Sequence, residues 1–121
     1  MADPQGINTA GWGLFITPTD MAKIGQLYLN RGAWNCRQLV SAEWIDESTK
    51  VHSHWDEHTL SYGYLWWIVD GESYAALGDG GNVMYVNMSK NLVVAIASLF
   101  KPKVTDRIEL IKQCIEPIFE D

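Results

Sequence analysis

Positive charge is scarce in this sequence. Nine lysines and arginines stand against fifteen aspartates and glutamates, so the formal net charge is -6. Nucleic acids and anionic membranes bind clustered cationic side chains, and we therefore expect neither as a partner.

Long apolar runs are missing too, because the longest, residues 92–97, has the length of a strand and not of a membrane segment. Residues 1–6 show neither the basic start nor the apolar stretch of a secretion signal, which leaves the compartment unknown.

Cysteine is also rare. Cys36 and Cys114 lie far apart in unrelated contexts, so they fix no redox compartment and we predict free thiols.

A metal site has weak support in the sequence. One polar segment carries imidazole and carboxylate groups, which are natural zinc ligands: His52, His54, Asp56 and His58. Because they crowd one segment without a ligand at a second, well-spaced position, we predict an exposed loop over residues 52–59. No metal and no cofactor is predicted.

What the chain does have is the composition of one globular domain. Its 121 residues, 47% apolar, are enough for one core and too few for two, so residues 1–121 are predicted to be a single domain. Six tryptophans indicate broad aromatic packing surfaces.

Three segments have helical patterns. Thr17 supplies a hydroxyl cap before Pro18 and an acid at Asp20, and the predicted helix stops at residues 30–32. A second helix is predicted after Ser41 to about Thr49, and a third after a cap at Thr105. The predicted apolar face of the first helix consists of Met21, Ile24, Leu27 and Tyr28. That of the third helix consists of Ile108, Ile111, Ile115 and Ile118.

Four segments read as strands: residues 62–69, 73–77, 83–87 and 92–99. Asp70-Gly71 is a strong hairpin signal, and residues 88–91 form another turn. Short connections make sequential strands antiparallel neighbours. The predicted fold class is therefore α+β: an antiparallel β-meander of about four strands packed with N-terminal helices and a C-terminal helix. Residues 32–40 are predicted to form a loop with a brief extended piece.

Glycine is concentrated at Gly78-Asp79-Gly80-Gly81-Asn82, between two strand predictions. Glycine accepts positive φ and lets another group approach the backbone closely. A plain flexible turn and a ligand-facing strand both fit this local pattern.

The ordered series of segments resembles the C-terminal part of the serine β-lactamase-like hydrolases. That family includes class C β-lactamases, penicillin-binding DD-peptidases and related esterases and amide hydrolases. The segments are residues 17–32, Trp34-Asn35, residues 38–41, Trp44, residues 47–49, 62–68, 78–82 and 91–98. The resemblance implies a β-lactamase-like fold, and a bacterial hydrolase as the parent protein.

The resemblance also implies a divided site. The family's Ser-x-x-Lys nucleophile and its proton-shuttling tyrosine belong upstream of the matched region, so no catalytic residue is predicted in this chain. The substrate-lining triplet falls on Asp79, Gly80 and Gly81, with the N–H of Asn82 in the oxyanion hole. A lysine or histidine is usual where Asp79 stands. A carboxylate there repels a carboxylate-bearing substrate such as a penicillin, which favours an esterase- or amidase-like parent with a neutral or cationic substrate.

Three short strings imitate catalytic motifs in the wrong context: Ser98 with Lys101, Tyr28 with Asn30, and Tyr85 with Asn87. We expect the first at a strand end, the second at a helix end and the third inside a strand. Trp66 and Trp67 are predicted to face opposite sides of a strand, so only one of them could meet a substrate.

The leading hypothesis is therefore the C-terminal portion of a serine hydrolase, inactive alone. Its predicted partners are the missing N-terminal portion of the same fold and a small ester, amide or peptide substrate. A non-catalytic binding module, and an oligomerisation module that self-associates through open apolar faces and strand edges, are the alternatives.

Overall fold

The computed structural model describes residues 2–8, 11, 13–54, 60–99 and 106–119. Within these residues the chain forms three α-helices and two antiparallel sheets, which confirms the predicted α+β class. No helix among them is both long and apolar enough to cross a bilayer. Both cysteines are unpaired, as expected.

The first two helices begin where their caps predict. Helix α1 spans Pro18–Leu29, and the hydroxyl of Thr17 accepts the N–H of Asp20 at 3.1 Å. Helix α2 spans Ala42–Ser48, and the hydroxyl of Ser41 accepts the N–H of Trp44 at 3.2 Å. Each cap satisfies an N–H that the first helical turn leaves without an internal partner.

The strands follow chain order. A small hairpin pairs β1 (Ala33–Trp34) with β2 (Arg37–Gln38), inside the predicted loop. The larger sheet has the order β3-β4-β5-β6-β7-β8, a meander throughout. Its strands are β3 (Ser53–His54), β4 (Ser61–Tyr62), β5 (Trp67–Ile68), β6 (Ser73–Gly78), β7 (Asn82–Asn87) and β8 (Leu92–Ile96).

Three strand boundaries differ from prediction. The predicted single strand over residues 62–69 is wrong, because it is a hairpin of β4 and β5. Gly63 lies so close to α2 that a Cβ there would sit 2.4 Å from the carbonyl oxygen of Ser48, and Leu65 turns the chain at a φ of 66°. The predicted loop over residues 52–59 contains strand β3 at its start, and residues 55–59 lie outside the described part. Strand β8 ends at Ile96, earlier than predicted.

Apolar side chains fill both faces of the large sheet. The cluster that includes α1 contains Leu29, Trp66, Tyr74 and Val86. The cluster that includes α3 (Arg107–Leu110) contains Ala75, Val83, Tyr85, Ile108 and Ile111. Successive residues of β7 alternate between the two clusters, as the two-residue period of a strand requires.

Helix α1 approaches the sheet through Gly25 and Leu29, its buried residues, while the predicted face is only half-buried. A Cβ at Gly25 would lie 2.6 Å from Cγ1 of Val93 on β8. The missing side chain therefore sets how near the helix comes to the sheet.

The last helix departs from prediction at both ends. Asp106 caps it, since one carboxylate oxygen accepts the N–H of Ile108 at 2.8 Å, so the predicted cap at Thr105 is wrong. The backbone then widens into a π-helical turn over Ile111–Ile115 and tightens over Glu116–Phe119. This change of winding rotates the following residues about the axis. Ile118, predicted to face the core, is 74% exposed, and Glu116 is buried instead.

Glu116 anchors that helix to the sheet. One of its carboxylate oxygens accepts the hydroxyl of Tyr85 at 2.5 Å and the side-chain amide of Asn87 at 2.7 Å. One turn earlier, the ammonium of Lys112 pairs with Asp70, before β6. A buried carboxylate is tolerated only where such donors replace its water.

We predict that Gly25→Ala destabilises the fold although alanine is the better helix former. Its methyl group collides with Val93, and overpacking costs about 1–3 kcal/mol, against about 1 kcal/mol gained in helix propensity. Urea unfolding should show a net decrease in the free energy of unfolding. Gly71→Ala is the control, because a Cβ there meets nothing within 4 Å. Equal stabilities of the two variants would contradict the tight contact.

We also predict an alkaline loss of stability. Burial, followed by the bond to Glu116, raises the pKa of Tyr85 from 10.0 to about 12. Below pH 10 both states keep the proton; between pH 10 and 12 only the folded state does, so the free energy of unfolding falls. Burial also raises the pKa of Tyr74. Urea titrations should therefore give Tyr85→Phe a shallower, not flat, slope in this window. An unchanged slope in Tyr85→Phe would exclude this origin.

Candidate functional site

The glycine turn, defined as residues 78–82, connects β6 to β7. Gly80 and Gly81 take φ values of 77° and 92°, a region that L side chains avoid. The carboxylate of exposed Asp79 accepts the N–H of Gly80 at 2.9 Å. The predicted triplet Asp79-Gly80-Gly81 thus forms a 3₁₀ turn at the end of β6 and is not part of a strand.

Asn82 holds the glycine turn in place through its side chain. The amide nitrogen donates to the carbonyl oxygen of Asp79 at 2.8 Å, and the amide oxygen accepts the N–H of Ser98 at 3.0 Å. Both ends of this side chain are therefore engaged, and the turn is tied to the segment that follows β8.

Strand β6 has an unpaired stretch beside the glycine turn. Its neighbour β5 pairs only with Tyr74 and Ala75, so residues 76–78 have no strand partner on that side within the described part of the chain. On the other side all six residues of β6 pair with β7. Unpaired strand backbone presents N–H and C=O groups that an extended ligand can bind.

Two adjacent hollows lie by this stretch and share Leu77, Asp106 and Ile108. The smaller, about 210 Å³, is bounded by three turn residues, Gly78, Gly81 and Asn82, and by Arg107. The larger, about 700 Å³, is an open groove with apolar walls that include Trp67, and with Glu109 and Lys112 among its lining residues. Together they form one recess beside the glycine turn, with mainly apolar walls.

Arg107 is a site residue that the sequence reasoning missed. Its Nη2 donates to the hydroxyl of Ser98 at 3.3 Å, and its side chain lines the smaller hollow beside the glycine turn. The available signal was an arginine directly after a capping aspartate at the start of a helix. Nothing in the local sequence placed that helix end beside residues 78–82.

The residues of the three strings that imitate catalytic motifs make contacts that support the fold. Ser98 lies past the end of β8, where its hydroxyl donates to the carbonyl oxygen of Leu99; Lys101 lies outside the described residues. Tyr28 packs against Trp66 at a ring-centroid distance of 4.5 Å. Asn30 caps α1, while Tyr85 and Asn87 bind Glu116. The hydroxyl of Tyr85 does meet a carboxylate, but both residues are buried in the fold.

The paired tryptophans separate as predicted. Trp66 is buried in the cluster that includes α1, and Trp67 lines the larger hollow.

The histidines of the predicted loop also have partners. His52 contacts the carbonyl oxygen of Glu47 at 2.8 Å, and His54 contacts the hydroxyl of Ser61 at 2.8 Å. Asp56 and His58 lie outside the described residues. Among the described residues no cluster has the composition of a metal site.

A search of solved structures finds a similar fold. The protein named "putative 6-aminohexanoate-dimer hydrolase" from Bacillus anthracis matches with a TM-score of 0.72 and 26% sequence identity, over 96% of this chain and 31% of its own. That neighbour is a member of the serine β-lactamase-like group. The fold is that of β-lactamase-like hydrolases. The chain spans about a third of the neighbour's length. Neither the protein-family models nor the curated proteins give a match.

We predict that Asn82→Ala loosens the glycine turn. The variant loses two hydrogen bonds, of which the Ser98 N–H is part-buried, so the expected cost is about 1–3 kcal/mol. Amide hydrogen exchange should accelerate at Ser98 and Gly80 while β3 and β4 stay as in the wild type. Asn30→Ala, which removes an exposed contact with Gln26, is the matched control. Unchanged exchange at Ser98 would show that Asn82 does not hold the turn.

Proposed function

We propose that this chain is the C-terminal part of a serine hydrolase domain resembling β-lactamases and penicillin-binding proteins. It supplies the groove-lining strand and one oxyanion-hole donor, and the nucleophile belongs to the part of the domain outside these 121 residues. The observation that carries the proposal is the edge of residues 76–78, which is unpaired within the described part of the chain and ends in the glycine turn, in a fold shared with a hydrolase. Taken alone, the chain is inactive.

The strand edge and the turn suit acyl transfer. An extended substrate pairs with the free backbone of residues 76–78, and its carbonyl reaches the N–H groups of the glycine turn. An oxyanion forming there is stabilised by fixed backbone donors. Glycine at positions 80 and 81 leaves room for that approach.

Within the predicted set of Asp79, Gly80, Gly81 and Asn82, the register favours the N–H of Asp79 as the donor. Strand β7 lies between β6 and β8, so the N–H of its first residue, Asn82, points toward one of those strands and not out of the free edge. The N–H of Gly80 is taken by the Asp79 carboxylate. Asp79 directly follows β6, next to the free edge of residues 76–78.

The substrate we propose is a linear amide. The neighbour's name describes hydrolysis of a 6-aminohexanoate dimer, whose bond is an amide between flexible apolar chains. The apolar walls of the larger hollow suit such chains. The exposed carboxylate of Asp79 disfavours an anionic group next to the scissile bond, as the sequence indicated.

A non-catalytic binding module is the second candidate. Asp79 favours it, because the family's usual cation or histidine is replaced by a group of opposite charge. Such a protein would keep the groove and lose the chemistry. Conversion of Asp79 to histidine separates the two readings.

The test is a chimera in which this chain replaces the matching 31% of the Bacillus anthracis hydrolase. We expect the chimera to hydrolyse the 6-aminohexanoate dimer, and the isolated chain to form no adduct with a fluorophosphonate by mass spectrometry. Gly81→Val in the chimera should reduce kcat at least tenfold by filling the groove at a φ of 92°. Gly71→Ala, in open space, should leave it unchanged.

Three outcomes would count against the hydrolase proposal. A chimera with native circular dichroism but no turnover would do so, as would stoichiometric phosphonylation of the isolated chain. Activity that appears only with Asp79→His would favour the binding module.

A further inference from the structure

The turn between β7 and β8 carries an exposed methionine whose sulfur meets a buried tyrosine. Met88 directly follows β7 and is 38% exposed. Tyr74, the second residue of β6, is only 6% exposed, and its hydroxyl donates to the sulfur of Met88 at 3.6 Å. This contact lies at the end of the β6–β7 pair that is opposite the glycine turn, away from the proposed hydrolase site.

The ring of Tyr74 is held firmly, whereas its hydroxyl is held weakly. Trp66 packs edge-on against the ring at a centroid distance of 5.1 Å, and Tyr28 does so at 6.3 Å. A thioether sulfur is a weak acceptor, so it replaces the water lost by a buried hydroxyl only in part. Burial also raises the pKa of Tyr74, and the hydroxyl therefore keeps its proton as a donor. A stronger acceptor at Met88 would satisfy this donor better.

A small hollow of about 170 Å³ lies where the two side chains meet, with Ile45, Thr49 and Ser73 among its lining residues. A water molecule needs only about 10–15 Å³ of such space, so one added oxygen atom fits there. The carboxylates that line the hollow have cationic or hydroxyl partners: Asp46 with Arg31, Asp70 with Lys112, and Glu72 with Ser89. These partners offset the negative charge that would otherwise repel a new oxygen.

We propose that Met88 is an oxidation site for hydrogen peroxide, and that the hydroxyl of Tyr74 holds the resulting sulfoxide in the fold. A lone pair of the sulfur attacks one oxygen of the peroxide, the O–O bond breaks, and the second oxygen leaves as water with both protons. The sulfur is oxidised by two electrons, and the peroxide is reduced. The sulfoxide oxygen is a stronger acceptor than the thioether, and the flexible side chain lets it turn toward Tyr74.

Exposure distinguishes Met88 from the other methionines of the described residues. Met21 and Met84 are half-buried, and Met84 packs against the cluster that includes α1. Dilute hydrogen peroxide should convert Met88 at least about threefold faster than either, because oxidation follows access to the sulfur. Mass spectrometry of proteolytic peptides measures the three rates. Met88→Leu, treated in the same way, is the control for oxidation elsewhere in the chain.

The variant Tyr74→Phe tests the role of the hydroxyl, because it removes the donor and keeps the ring. Oxidation should lower the urea midpoint less in the wild type than in Tyr74→Phe. The two shifts should differ by about 0.5 M, as expected for one net hydrogen bond.

A second measurement needs no variant. The ¹³Cζ resonance of Tyr74 in the wild type should move on oxidation, since that carbon carries the hydroxyl. The same resonance of Tyr64, which packs against Trp44 and His52, should stay in place. Should Tyr74→Phe fail to fold, this shift decides the question.

Three results would overturn the proposal. They are an oxidation rate at Met88 no higher than at Met84, a loss of urea midpoint in the wild type equal to or greater than that in Tyr74→Phe, and an unmoved Tyr74 resonance. None of these measurements involves turnover, so their outcome is independent of the hydrolase proposal.

Discussion

Strand β7 must be covered on both faces, and the rest of the structure follows from that requirement. Val83 and Tyr85 point into one apolar cluster, and Val86 points into the other, all nearly or fully inaccessible to water. Burial of this kind supplies most of the favourable free energy of a small domain. One face needs α1, which can come close only because Gly25 has no side chain. The other needs the C-terminal helix, which Glu116 fastens to Tyr85.

The same strand positions the candidate site. Because β7 is fixed from both sides, its full register with β6 fixes the glycine turn between them. Asn82, the first residue of β7, then ties the turn to Ser98. Ser98 in turn meets Arg107 at the start of the C-terminal helix. A chain of hydrogen bonds thus links the covering helix to the strand end at which substrate is proposed to bind, and rigid support of this type is what a precise binding geometry requires.

Features encoded within a few residues could be predicted from the sequence, and features that depend on contacts distant in sequence could not. The caps at Thr17 and Ser41 and the hairpin at Asp70-Gly71 were predicted because their donors and acceptors are neighbours in the chain. The break in the predicted strand at residues 62–69 depends on Gly63 meeting α2. The π-helical turn that buries Glu116 depends on donors 29 and 31 residues away. For the site, sequence order predicted the glycine turn but not Arg107, which the fold brings there from the last helix.

Two groups near the glycine turn lack a partner among the described residues. Within the described part of the chain, Arg107 has an unsatisfied donor and residues 76–78 have an unpaired strand edge, although both cost free energy. By contrast, the buried carboxylate of Glu116 is met by two donors. The chain spans about a third of a similar hydrolase. Under the proposed function, the substrate and the remaining portion of the domain would therefore supply the missing partners at this recess.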